Sequence, residues 1–280
     1  MATLSYHDIF DYPLKLEEII SLLIEKKASQ SAILKEAANL QTQKKIDKKS
    51  EYYFLKSRPN LVATRISREK YSKKKLRKAR FFASILKLIP TIRMVAVSGA
   101  LAMKNSHKND DIDLVIITSR GALWTTRFFS NLLLLPFKRD SKGQKISDRA
   151  CLNLFLDESA LRIKEQNLYT SHEICQMKLL WDRDNTHQRF LKANSWTKNH
   201  LPSWEPELQN TSRSYKRGRI PSMLSVIEKP LKSLQLWYME SRITSEKIED
   251  KQLFFHPKST QGQVLASFHK KIKTLRIRTT

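Results

Sequence analysis

Two stretches of the chain hold residue types that can do chemistry together. Val95-Ala96-Val97-Ser98-Gly99-Ala100-Leu101 reads as a buried strand ending in a small-residue turn. Asp111-Ile112-Asp113-Leu114-Val115-Ile116-Ile117 reads as a second buried strand with two carboxylates at its start. Residues two apart on a strand point to the same side, so Asp111 and Asp113 aim at one point beside Gly99. Two convergent carboxylates on a rigid strand suit a divalent ion, and Mg²⁺ takes one or two carboxylates together with phosphate oxygens. A small residue at the turn lets backbone N–H groups approach those phosphates. An Asp-x-Asp pair alone is usually a solvated strand start. The succession of strand, glycine turn, polar loop, Asp-x-Asp and apolar run is what points to a site.

The elements that must position this pair sit in a chain of 280 residues, 40% of them hydrophobic, with a formal charge of +25. That length accommodates two or three packed domains. The charge favours a polyanionic partner, whether nucleic acid, nucleotide or acidic membrane surface; a lysine-solubilised surface is the alternative. Cys151 and Cys175 lack metal-type spacing and read as reduced, buried, structural thiols, as expected in the cytoplasm. The start, Met1 to Tyr6, has no basic-then-apolar pattern of a signal peptide. The apolar run Leu132 to Phe137 contains Pro136 and is far too short to span a bilayer.

Residues 4–12 read as a helix that stops before Pro13. Leu16, Ile19, Ile20, Leu23 and Ile24 recur at helical spacing, and Ser31 can cap a third helix through Leu34 and Ala38. Gln43–Asp47 and Glu51–Leu55 read as short extended runs. Three helices and a hairpin is the order of a winged-helix domain, with Ile19, Ile20, Leu23 and Leu34 expected in its core. From Lys44 to Arg80 the chain carries fifteen Lys or Arg against three acids. Lys70 to Leu88 reads as one helix, whose Lys73, Lys74, Lys75, Arg77 and Lys78 form a basic cluster. That cluster is either a solvated face or a contact for phosphates.

Beyond the aspartates, Trp124–Leu135 reads as a helix, Phe137–Asp148 as a polar loop and Ala150–Leu156 as a buried strand. A helix from Leu168 is expected to carry His172, Glu173 and Lys178. Pro202–Pro221 reads as irregular, Leu231–Met239 as a helix with Pro230 at its start, Leu253–Pro257 as short and extended, and Gln263–Lys273 as a basic helix. His256 reads as structural. Trp181, Trp196, Trp237 and Tyr238 have the spacing of core residues, with base stacking as the alternative.

Val97-Ser98-Gly99-Ala100 and Asp111-Ile112-Asp113 resemble the signature of the nucleotidyltransferase fold family: a hydrophobic residue, Gly, then Gly or Ser, a spacer, and Asp-hydrophobic-Asp/Glu. Ala100 stands where Gly or Ser is usual, and Lys104 where many relatives have Gly. Tyr6 to Leu14 is similar to the opening of bacterial proteins in which a winged helix precedes such a domain. The likeness continues more loosely at 168–174, 190–196 and 236–239.

The resemblance implies an α+β protein. It would have a winged-helix-like unit at 1–66, a mixed-sheet core at 67–165 entered by a connecting basic helix at 67–90, and a mainly helical region at 166–280. It implies Asp111 and Asp113 as catalytic ligands of Mg²⁺ or Mn²⁺, and an NTP held by Ser98, Gly99, Ala100, Lys104 and Lys178. A third acid is expected on the strand 150–156, where Asn153 occupies the central position. Asn ligates weakly through its carbonyl oxygen and cannot act as a base, and Asp148 and Asp157 flank the strand as substitutes. His172 would assist proton transfer, contact a phosphate, or cap the helix. The implied activity is transfer of a nucleoside monophosphate to an acceptor hydroxyl with release of pyrophosphate. The alternative is a nucleic-acid-binding regulator with a degenerate transferase domain.

Overall fold

The computed structural model describes residues 1–140, 146–206, 222–240, 247–255 and 258–275. Among them, ten α-helices accompany a six-stranded mixed sheet and a two-stranded hairpin, an α+β architecture.

The central strands of the sheet come from segments that are largely apolar on both sides, its outer strands from mixed ones. The six are β3 (Ile92–Val97), β4 (Ile112–Thr118), β5 (Ala150–Asp157), β6 (Lys178–Asp182), β7 (Lys247–Ile248) and β8 (Gln252–Phe254), in the order β6-β3-β4-β5-β8-β7. Only β4 and β5 run parallel; the other neighbours are antiparallel. Every residue of β3 is buried, because helices cover both faces of the sheet. The two-residue period sorts the side chains. Val95, Val97, Ile112, Leu114 and Ile116 face one core with Phe82 and Leu86 of α4 (Leu61–Leu86), Trp124 of α6 (Leu123–Leu133) and Met239 of α9 (Ser222–Glu240). Met94, Ala96, Val115 and Ile117 face a second core with Ile174 of α7 (Leu168–Gln176) and Phe190 of α8 (Thr186–Ala193). On the first face α9 also closes the buried N-terminal end of α6: the Glu228 carboxylate accepts from the backbone N–H groups of Trp124 and Thr125, both at 2.8 Å. Such a carboxylate satisfies orphan donors and suits the helix dipole.

The N-terminal unit has α1 (Ala2–Asp8), α2 (Leu16–Ser21), α3 (Gln30–Thr42) and the antiparallel hairpin β1 (Ile46–Lys49)/β2 (Tyr52–Leu55). Its core holds Leu4, Leu14, Ile19, Ile33, Leu40 and Tyr53, with Ile20 and Leu23 packed at the edge. Leu34, expected inside, is exposed, and Ile33 takes its place. The helix also begins two residues earlier than a Ser31 cap implies: Ser29 accepts the Ala32 N–H at 3.2 Å.

The basic segment is one helix from residue 61, nine residues earlier than expected at Lys70. At about 1.5 Å per residue, α4 runs about 39 Å from the hairpin to the central sheet without a break at residue 66. Its first turns are tied to the N-terminal unit. The Arg65 guanidinium donates to Glu18 (2.8 Å), Glu69 (2.7 Å) and the Pro13 carbonyl (2.9 Å), and lies 3.7 Å over the Tyr12 ring. Arg68 donates to the Phe10 carbonyl at 3.0 Å. Two cations of the basic stretch are therefore struts, buried because each finds oxygens to bind.

The segment after residue 166 is less helical than expected, since β6, β7 and β8 leave it to join the sheet. The helix around Pro230 begins earlier than expected and keeps that proline inside. α10 (Lys258–Thr274) packs back against α1, and Lys271 pairs with Asp8. His256 and residues 207–221 lie outside the described residues. Among the described residues no helix is long and apolar enough to cross a membrane.

Candidate functional site

The site forms where β3 ends beside the starts of β4 and β5. β3 leaves the sheet at Val97; Ser98 is extended, and Gly99 turns the chain with φ +61° into the short helix α5 (Gly99–Ala102). A Cβ added at Gly99 would sit 3.6 Å from Asp113 Oδ2, an ordinary contact. The left-handed backbone is thus what calls for glycine, since L side chains are strained there. The Ser98 N–H donates to the Asp113 carbonyl at 3.2 Å and locks the turn to β4.

Asp113 lies in β4, while Asp111 sits one residue ahead of it rather than inside the strand. The two still converge. Their partner on β5 is Cys151, which the parallel register places opposite Asp113. One ligand atom each from Asp111, Asp113 and Cys151 lie within 4.8 Å of one another. Burial, and then the neighbouring Asp113 charge, push the Cys151 thiol far above its ordinary range. Asp111 Oδ2 also accepts from the Arg139 guanidinium at 2.8 Å. The two carboxylates fit Mg²⁺ or Mn²⁺, whereas a sulfur donor fits softer divalent ions.

Asn153, expected at the third position, stands elsewhere. The β4–β5 register passes from Leu114↔Leu152 to Val115↔Leu154, so Asn153 is the extra residue of a bulge. A bulge re-aims its side chain. Here the chain lines a cavity of about 360 Å³ on the second face of the sheet, with Ser98, Val115, Tyr169, Glu173 and Phe254. Asn153 Oδ1 and Ser98 Oγ are buried and lack a hydrogen-bond partner. Burial, followed by Glu173 and Asp113, raises the Tyr169 hydroxyl, so this cavity shares its electrostatics with the aspartate pair. At the rim Lys247 pairs with Glu165 at 2.6 Å.

The remaining expected residues divide. Lys178 begins β6, opposite Val97 in the register, instead of riding on α7, which ends at Gln176. It lines a second recess of about 570 Å³ together with Lys104, Met103, Tyr12 and Glu18. Lys104 and Lys178 are thus together, on the side of the N-terminal unit, while Ser98 opens on the first cavity. Ala100 lies within α5. His172 is buried and stacked on Tyr6 at 4.2 Å, with His7 edge-on at 5.0 Å. It is a packing residue between α1 and α7, and burial keeps it neutral by lowering its pKa well below 6.5.

Neither flanking acid is available as a third carboxylate. Asp148 is bound by Lys75 and Lys78, each at 2.8 Å. Burial alone would raise its pKa, but the two ammonium groups hold it below the ordinary value. Asp157 accepts from the N–H groups of Gly121 (2.6 Å) and Ser159 (2.8 Å) in a turn.

Lys75 is buried rather than displayed on a basic face. Its Nζ also donates to the carbonyls of Lys108 (3.0 Å) and Asp110 (2.6 Å). It therefore braces the loop that delivers Asp111. Lys78 is tethered to Asp148; Lys73, Lys74 and Arg77 are exposed. Trp196 is core, Trp181 packs at a core edge, and Trp237 is exposed, so no aromatic platform forms around the cavity from these residues.

Cys151 is what sequence reasoning missed, because it sought a carboxylate at mid-strand. The signal was positional: the aspartates lie at the start of β4, and in a parallel pair the start of β5 lies beside it. No protein-family model matches the chain, and no curated protein matches it.

Proposed function

We propose that the chain is a cytoplasmic, metal-dependent nucleotidyltransferase with a winged-helix-like N-terminal unit. In this reading it moves a nucleoside monophosphate from an NTP to an acceptor hydroxyl and releases pyrophosphate. The observation that carries the reading is the convergence of Asp111 and Asp113 beside the Gly99 turn. A divalent ion held there supplies Lewis-acid polarisation of phosphoryl oxygens and charge neutralisation on the leaving pyrophosphate. Backbone N–H groups of Gly99 and Ala100 meet the phosphates. The adjoining cavity takes an organic group, with Ser98 Oγ and Asn153 Oδ1 as its polar contacts and apolar walls around them. Glu173, in the cavity wall, is the carboxylate assigned to accept the acceptor's proton.

The test is calorimetry of NTP binding with Mg²⁺ or Mn²⁺, paired with pyrophosphate release. Asp113→Asn should lose metal-dependent binding while its circular dichroism stays unchanged; binding equal to that of the parent chain would refute the reading.

The second reading, a nucleic-acid-binding regulator with a degenerate transferase domain, is favoured by the Arg139–Asp111 pair, which already neutralises one carboxylate. The exposed Lys73, Lys74 and Arg77 would then contact phosphates. Duplex binding that survives loss of both aspartates would support it. So would a salt dependence flattened more by Lys73, Lys74 and Arg77→Gln than by the same change at the exposed Lys251, Lys270 and Lys273.

A further inference from the structure

The donor set at the sheet end differs from a pure oxygen site, and the difference has consequences for the ion it selects. Asp113 and Cys151 are register partners in the parallel pair β4/β5, and with Asp111 they bring three potential ligand atoms within 4.8 Å of one another. Cys151 is almost fully buried, so its sulfur faces these carboxylates and not bulk water. A second, independent observation points to a ligand next to this cluster. Ser98, which follows β3 and bonds Asp113, and Asn153, two residues beyond Cys151, each have only 5% exposure and a side-chain oxygen without a partner. Both line the cavity that opens beside the cluster. Buried polar atoms are seldom left unmatched.

We propose that Cys151 is the third protein ligand of the ion held by Asp111 and Asp113, and that the site takes a thiophilic divalent ion such as Co²⁺ or Zn²⁺ in preference to Mg²⁺. The inference rests on the metal-dependent reading above and refines it. Mg²⁺ demands oxygen ligands and parts reluctantly with its water. A thiolate adds affinity for Co²⁺ and Zn²⁺ and little for Mg²⁺. Three protein ligands with one position left open is also the pattern of catalytic rather than structural zinc-type sites. On coordination the S–Co or S–Zn bond forms as the S–H bond breaks, and the proton leaves to solvent. The ion's double positive charge then offsets two of the three negative charges. Arg139, which donates to Asp111 Oδ2, is the chain's own cation at this spot and would share that carboxylate or turn to a phosphate.

The experiment titrates the full-length protein with CoCl₂ in the absence of nucleotide and records absorption spectra. A sulfur-to-cobalt charge-transfer band in the near ultraviolet is expected. It should persist in Cys175→Ser and vanish in Cys151→Ser. Cys151→Ser should weaken Co²⁺ binding by about tenfold or more, the scale on which even outer-sphere partners act, with little change in Mg²⁺ affinity. Visible d–d bands without the charge-transfer band, abolished by Asp113→Asn, would overturn the sulfur ligand and leave the aspartate site standing. No cobalt binding at all would overturn both. Should Cys151→Ser fail to fold, the spectra of the parent chain and Cys175→Ser decide the matter alone.

Discussion

The two faces of the central sheet are built from the same strands and serve opposite ends. On the first, Leu114, Ile116 and Phe155 are wholly buried against Leu86 and Trp124, and the packing continues into α9. On the second, Val115 and Leu154, neighbours of those residues in sequence, border a cavity of about 360 Å³. The change comes from one residue. The bulge at Asn153 shifts the parity of β5, so that a polar side chain and an aliphatic one both reach the same side. A sheet can hold its fold with one face and spend the other on a site, because interior packing density matters wherever atoms are already in contact.

The sharpest way to break this comparison is to weaken the filled face. Phe155→Ala removes a fully buried ring from it and should cost about 3–5 kcal/mol, seen as a large drop in the urea midpoint. A small drop would mean that the first face is not the one that carries the stability.

The next largest effect should lie behind the cavity, where α7 rests on α1 through buried histidines. Burial pushes His7 down to about 4 from its ordinary 6.5, and its Nδ1 donates to the Thr3 carbonyl at 2.9 Å. The unfolded chain therefore takes up a proton first as the pH falls. Stability from a neutral His7 is complete above about pH 6.5 and is lost progressively towards pH 4, by a total on the order of 3 kcal/mol. Asp182 on β6, which burial raises to about 6, acts in the opposite sense over the same window. The measurement is therefore a difference: His7→Gln should lose less stability between pH 6.5 and 4 than the parent chain. Hydrogen exchange at pH 5 should quicken in α7 before it does in β3 and β4. Parallel pH profiles for the two proteins would remove the histidines from the account.

The smallest effect should come from the cavity wall itself. Ser98→Ala deletes a buried hydroxyl that has no partner, so thermal stability should stay level or rise by up to ~1 kcal/mol, while nucleotide binding falls. A destabilisation comparable to that of Phe155→Ala would show that the cavity is packed as tightly as the opposite face.

Much of the scaffold was legible because its signals are local. The apolar runs at 92–97, 112–118 and 150–157 are strands whatever their neighbours, since they are buried on both sides. The left-handed turn at Gly99 and the two-residue spacing of Asp111 and Asp113 are likewise written in the chain. Helix phase was already less secure: Ile33 rather than Leu34 faces the core, and Ser29 rather than Ser31 caps the helix.

Tertiary structure decided the rest, because each remaining feature depends on a partner distant in sequence. Lys178 is in a strand because β3 offers it backbone partners. Lys75 is buried because the carbonyls of Lys108 and Asp110 and the carboxylate of Asp148 surround its ammonium group, which no inspection of a lysine-rich helix reveals. His172 is neutral packing because Tyr6, His7 and α1 close over it. Cys151 meets Asp113 because β4 and β5 pair in parallel with starts aligned. Spacing along the chain determined that two carboxylates converge; pairing between strands determined that a sulfur stands beside them.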